Sequence, residues 1–462
     1  MSPEVEAAVI AGCFGVLTVI GTLVVQLYGT RRTSKDTKQT VKEQLEEQRE
    51  QLNTTLAEQR EQLDRTLAAE RGRTLNERFS TAADKLGSDK PPAVRLAGVY
   101  AMAGLADDWK ENRQTCADVL CAYLRMPYEP YPDRDAPEPE QIGFRASREV
   151  RHTVIRVITA HLREDAAVSW QGLNFDFTGV VFDGGDFSGA VFSGGQVRFD
   201  YAEFSDGQVS FSEAEFSDGQ VSFHGAIFSG GLVRFDQAKF SGGRVRFDHA
   251  EFSGGVVRFD QAKFSGGTVG FDYAEFSGGT VGFPGAEFSG GTVDFTEAEF
   301  SGGTVDFTEA EFSGGRVGFY GAGFSGGTVG FFGAGFSGGT VGFDGAKISG
   351  GVVSFPGAVF CGSRVDFTAA QFSGGVVSFA GADSPNRETF YGAYFDGGRV
   401  DFTGAKFSGA DVDFSQLTTW THPPEFDWDG TPPAGVKLPA RPSASPPDST
   451  SGEADTPMAA GS

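Results

Sequence analysis

Histidine and cysteine are scarce, with five and four among 462 residues. Cys13, Cys116, Cys121 and Cys361 form no C-x-x-C pair and fit no metal-ligand spacing, so they read as reduced and structural. His152, His161, His224, His249 and His422 are equally scattered, and His224 and His249 occupy positions expected to be solvated. The Ser-Gly-Gly triplets are never followed by Gly-Lys-Ser or Gly-Lys-Thr, which excludes a phosphate loop of that kind. No catalytic, cofactor-binding or metal-ligating residue is assigned, no cofactor is implied, and the chain is expected not to be an enzyme. Positive charge is also thin. Lys and Arg number 38 against 62 Asp and Glu, a net −24. From Phe175 to Leu417 there are 30 acidic and 13 basic residues, a net −17. Such a surface suits a basic partner or a solubility role and disfavours direct nucleic-acid binding.

What the chain does have is a repeat. From Val197 to Val376 a twelve-residue unit recurs fifteen times over 180 residues. Self-similarity at so short a period marks a solenoid, in which each unit buries its apolar face against its neighbours. A unit divides into Val-x-Phe-x-x, then Ala-x-Phe-Ser-Gly, then two more residues, as in the stretch from Val281 to Thr292. Apolar residues two apart point to one side of a short strand, so Val with Phe fills one wall and Ala with Phe the next. The positions between them vary freely, as outward positions do. Carboxylates there, such as Asp294, Glu297, Asp306 and Glu309, read as a repeated solvated face rather than acid–base pairs.

The five-residue spacing of Phe177, Phe182, Phe187 and Phe192, and the run Ala410-Asp411-Val412-Asp413-Phe414, resemble the pentapeptide-repeat family. The resemblance covers roughly Phe175 to Leu417 and implies a mainly β fold, a right-handed quadrilateral β-helix. The two-residue insert after every second five departs from the family pattern. It leaves two coils open, one of 24 residues and one of twelve. Two Phe rings per unit, each burying about 150–250 Å², favour 24. Some members of the family mimic duplex DNA and protect type II topoisomerases, which is the alternative function the resemblance implies.

Five segments are expected in order: 1–32, 33–80, 81–165, 166–417 and 418–462. The first holds Ala7 to Tyr28, 22 residues without a charge. Its length suits a transmembrane helix across a core of about 30 Å. Glu4 and Glu6 precede it and Arg31, Arg32, Lys35 and Lys38 follow. The positive-inside rule then puts the N-terminus outside the cell membrane and the solenoid in the cytoplasm. The second is a polar, coiled-coil-like helix, with Val41, Leu52 and Leu63 in one row and Leu45, Leu56 and Leu67 in another. Their eleven-residue period gives a thin seam that pairing would stabilise, so homo-oligomerisation through 35–80 is expected. The third is a small helical module. Pro91-Pro92 opens one helix, Leu96, Val99, Tyr100 and Ala103 share a face, and Thr115 with Asp118 reads as a capping box. This module resembles one that often precedes pentapeptide repeats in bacterial membrane-associated proteins, and it is placed to seal the first coil. The fifth is rich in Pro, Ser and Thr and is expected to be disordered, with Trp420, Phe426 and Trp428 covering the last coil. The function expected is a membrane-tethered, non-catalytic scaffold that presents a rigid acidic solenoid to a protein partner.

Overall fold

The computed structural model describes residues 35–87, 89–128, 137–381, 392–428 and 430–439. Contacts divide the chain into two units after Glu77. The fold class needs one correction. Among the described residues no helix is long and apolar enough to cross a membrane, so the spanning helix drops out of the observed architecture. The segment 7–28 to which it was assigned lies outside the described residues. What is observed is a set of helices followed by four parallel sheets.

Helix α1 (Lys35–Leu86) is 52 residues long and runs past the boundary expected at residue 80. Its extra turns carry apolar residues that become buried, Ala82 and Leu86. Upstream, Val41, Leu45, Leu56, Leu63 and Leu67 stay exposed. Helix α2 (Pro92–Asp108) opens at Pro91-Pro92 as the sequence requires, since a proline at the first helical position loses no intrahelical bond. Its buried face is Val99, Met102, Leu105 and Ala106, whereas Tyr100 points outward. Helix α3 (Arg113–Arg125) starts two residues before Thr115 and carries no side-chain cap. The capping box does not form, because Thr115 lies inside the helix and not at its N-cap, and Asp118 instead accepts from Gln114 at 2.7 Å. Helix α4 (Glu138–Leu162) buries Val150, Val154, Ile155, Val157 and Ile158.

From Phe175 onward the chain winds into four walls of 10, 10, 11 and 10 parallel strands. Consecutive strands of one wall come from every fourth strand in the chain, so each turn of the chain is one coil. Val245 pairs with Val269, and Val281 with Val305, which fixes 24 residues per coil. The first and third walls use three-residue strands such as Thr268–Gly270 and Thr280–Gly282. The second and fourth use two-residue strands such as Glu275–Phe276 and Glu287–Phe288. Twelve-residue coils fail for the reason of volume. In the interior Phe283 lies 4.7 Å from Phe259 and 4.8 Å from Phe307, one coil away on either side. It meets Phe271 and Phe295 of the opposite wall edge-on at 6.2 and 6.4 Å. Stacking along the axis and T-shaped contact across it are the two arrangements that ring quadrupoles favour.

The two-residue insert is a corner where coils nearly touch. A Cβ on Gly290 would stand 2.4 Å from the Ser265 carbonyl oxygen. Gly291 sits at φ +66°, which excludes most side chains, and its Cβ would also strike the previous coil's backbone. Hence the Ser-Gly-Gly triplets.

One coil is longer than the rest. Val359 pairs with Tyr394 and Val376 with Asp411, 35 residues apart, so eleven residues are inserted without disturbing the walls. The segment 383–387 lies outside the described residues. The walls also continue past Leu417. Thr419–Trp420 extends the fourth wall and Val436–Lys437 the third, within the stretch expected to be disordered. The aromatics explain this extension. Trp420 contacts Phe395 and Phe414, Phe426 stacks on Phe402 at 5.2 Å, and Trp428 meets Phe407. They cover the final ring layer that would otherwise face water.

Candidate functional site

The outer surface of the solenoid is built by register. A residue on one coil stands directly over the residue 24 places earlier, about 4.8 Å away along the axis. Short sequence patterns therefore become ladders.

The longest stretch of one sign runs from residue 269 to 312. It holds nine carboxylates and no Lys or Arg. Wound into coils of 24, these residues girdle the rod. Glu275 and Glu299 stack on the second wall, and Glu287 and Glu311 on the fourth. Glu297 and Glu309 occupy corners, exposed, at φ 53° and 55°. Asp294 and Asp306 do not simply face solvent. Each accepts the backbone N–H and the hydroxyl of the Thr two residues on, for Asp294 at 3.1 and 2.7 Å. The same Asp-Phe-Thr clasp recurs at Asp176 and Asp366. The motif was there in the sequence as a fixed triplet. Asp272 lies at the edge of this girdle, half-buried. Burial first, then the carboxylates of Asp294 and Asp248, push its pKa up to about 6.

A second cluster sits where the helical module meets the first coil. Asp183, 2 % exposed, receives the Tyr128 hydroxyl at 2.7 Å and lies 3.0 Å from His152 Nε2 and 3.1 Å from Arg148 Nε. Burial works to raise its pKa, but the bonds from His152 and Tyr128 and the nearby Arg148 charge hold it below the usual carboxylate range. A His–Asp pair invites a catalytic interpretation. The neighbouring bonds point instead to docking. Arg125, Arg151, Arg148 and Thr159 donate to the carbonyls of Asp176, Val181, Asp183 and Asp186, at 2.6, 2.9, 2.9 and 2.8 Å. The carbonyls of Asp176, Val181 and Asp186 are those that a preceding coil would have engaged. The helices thus answer open backbone groups of the first coil on its first three walls.

The remaining chemistry-bearing residues do not converge. Cys116 and Cys121 are buried in the helical module, and burial pushes their thiols up to about 11 and about 12. Cys361 is exposed on the solenoid, and Cys13 lies outside the described residues. His224 and His249 are not isolated in solvent but contribute to a corner ladder with Tyr201 and Tyr273, ring to ring at 5.6, 5.3 and 5.1 Å. No group of three His, Cys, Asp or Glu among the described residues could hold a metal ion.

Four parallel walls of short strands, with Phe and Val or Ala inward and polar residues outward, define a quadrilateral β-solenoid. A family described as pentapeptide repeats (9 copies) matches residues 177–220. That match covers the opening coils of the solenoid, and the four-walled fold is consistent with a pentapeptide-repeat protein. No curated protein matches it.

Proposed function

We propose that the protein is a non-catalytic scaffold whose acidic solenoid presents its outer walls to a basic protein partner. The observation that carries this reading is the girdle of nine carboxylates between residues 269 and 312, uninterrupted by any Lys or Arg. The rigid ring columns behind it hold these charges in fixed rows, so little ordering is needed on binding. Pentapeptide-repeat solenoids are generally non-catalytic, in keeping with a surface rather than a pocket as the working part.

The test compares the full chain with a variant carrying Glu297→Gln, Glu299→Gln, Glu309→Gln and Glu311→Gln in quantitative affinity purification. A basic protein should be retained by the parent, lost from the variant, and released as salt rises. Identical retention on both would overturn the reading. Inhibition of gyrase supercoiling by the parent but not the variant would favour a DNA-mimicking role instead. Helix α1 adds a second surface to the scaffold, suited to another copy of the chain. Its exposed rows recur every eleven residues, as in Leu45, Leu56 and Leu67. Sedimentation should then detect a dimer that Leu56→Glu with Leu63→Glu converts to monomer.

A further inference from the structure

The first wall carries a feature of opposite sign. Arg198, Arg244 and Arg246 surround a notch of about 180 Å³ that is also lined by Gln220, Ser222 and Asp200. Register creates it. Arg198 pairs with Ser222, and Ser222 with Arg246, so a short side chain separates two long ones on successive coils. Gln220 likewise pairs with Arg244. The outer arginines stand two coils apart, about 9.6 Å along the axis, with a hydroxyl on the floor between them.

The arginines are not used up by the fold. Arg246 has Asp248 at 3.4 Å, and Arg198 donates to Gln196 Oε1 at 2.9 Å. The Arg244 side chain is exposed and makes no hydrogen bond or ion pair among the described residues, although its charge is felt by Asp272. The notch's own lining is positive, three guanidinium groups against Asp200, while Asp248, Asp176 and Asp272 stand around its rim beside Arg246, Arg198 and Arg244. Elsewhere the arginines close more tightly on the carboxylate two residues on, Arg234 on Asp236 and Arg258 on Asp260 on the third wall, Arg364 on Asp366 further along the first.

We propose that the notch binds one phosphoryl group. Guanidinium forks approach a tetrahedral oxyanion from both sides in bidentate fashion, while the Ser222 hydroxyl and the Gln220 amide supply donors from the floor. The site takes a single group and not a nucleic-acid strand. One coil up, the register positions of Arg244 and Arg246 become Thr268 and Gly270, and two coils up Thr292 and Asp294. Asp176 stands below Arg198. A strand following the wall would meet carboxylates at both ends. This site is independent of the acidic girdle and goes beyond the scaffold reading.

Calorimetric titration of the full chain at low salt tests it, with inorganic phosphate, a phosphoserine peptide and the same peptide unphosphorylated as probes. The variant is Arg198→Ser, Arg244→Thr and Arg246→Ser, which installs residues this wall already uses at Ser222 and Thr268. The control is Arg234→Ser with Arg258→Ser on the third wall. Saturable binding by the parent should weaken at least about tenfold in the triple variant and stay within about twofold in the control. Arg244→Thr alone, expected to weaken binding about threefold, decides the matter if the triple variant does not fold. A peptide bound much tighter than phosphate identifies a side-chain-borne group as the source, and equal binding identifies the free ion. The proposal is overturned if the parent shows no saturable binding, if the triple variant binds unchanged, or if the control loses binding equally. Equal affinity for the unphosphorylated peptide, or tighter binding of a single-stranded oligonucleotide through the same arginines, overturns it as well.

Discussion

Asp272 is a carboxylate the fold tolerates at a cost. It is half-buried, with Asp248 and Asp294 beside it, and its pKa is pushed up to about 6. A carboxyl with a folded pKa above its unfolded value destabilises the protein when ionised, and that penalty is complete above pH 6. It is relieved as pH falls through 6 toward the unfolded value of about 3.9. Asp272→Asn should therefore stabilise the protein at pH 7.5 by about 1 kcal/mol, once solvent screening of a half-exposed group is allowed for. The gain should vanish by about pH 4. Thermal melts of parent and variant at both pH values check this, and a gain that persists unchanged at low pH refutes the electrostatic cause. The corners offer a backbone counterpart. Glu309 holds φ 55°, a conformation costing a non-glycine residue about 1–2 kcal/mol, while Gly285, Gly321 and Gly333 occupy equivalent corners. Glu309→Gly regains that strain and loses about 0.5–1 kcal/mol to unfolded-chain entropy. A small net stabilisation, read as a rise in denaturation midpoint, is expected.

Among the elements, α4 shows how the solenoid is closed. Arg151 is 5 % exposed, donates to the carbonyls of Leu124 and Val181 at 2.7 and 2.9 Å, and lies 4.1 Å over the Tyr128 ring. Arg151→Met would leave an edge carbonyl of the first coil unanswered and should cost about 2–4 kcal/mol. Arg151→Lys should not restore stability, because one ammonium cannot reach both carbonyls and stack on the ring. Hydrogen exchange should locate the loss in the first coil, and uniform loosening of all coils would contradict the capping role. The sealing itself was legible in the sequence, because a helical module followed directly by a repeat has an open edge to cover. The donors were not, since Arg125, Arg148 and Arg151 carry no local pattern and meet their carbonyls only after folding. The same limit hid the notch. In sequence Arg198, Arg234, Arg246 and Arg258 look evenly scattered, yet winding sends the first and third of these to one wall and the others to the opposite one. Ring volume favoured the 24-residue coil, and the strand register decided it. The Asp-Phe-Thr clasps were overlooked because outward Asp was read only as charge.

At the scale of the whole solenoid, stability runs along the axis. Each coil contacts only its neighbours, so the rod approximates a chain of coupled layers and not one indivisible core. Phe283, fully buried between Phe259 and Phe307, belongs to a column that crosses the middle of the rod. Phe283→Ala should cost about 3–5 kcal/mol, as for other large buried aromatics. Its distinctive consequence is on cooperativity. Weakening a central layer lowers the coupling between the coils on either side, so the two halves can unfold at different denaturant concentrations. The expected result is a broader transition with a reduced m-value, or two transitions, in guanidinium unfolding followed by circular dichroism. Thr280→Ala, at the start of the strand that leads directly into Phe283, should leave both midpoint and slope nearly unchanged. A Phe283→Ala variant that unfolds in one transition with the parent's slope would show that coupling extends well beyond adjacent coils.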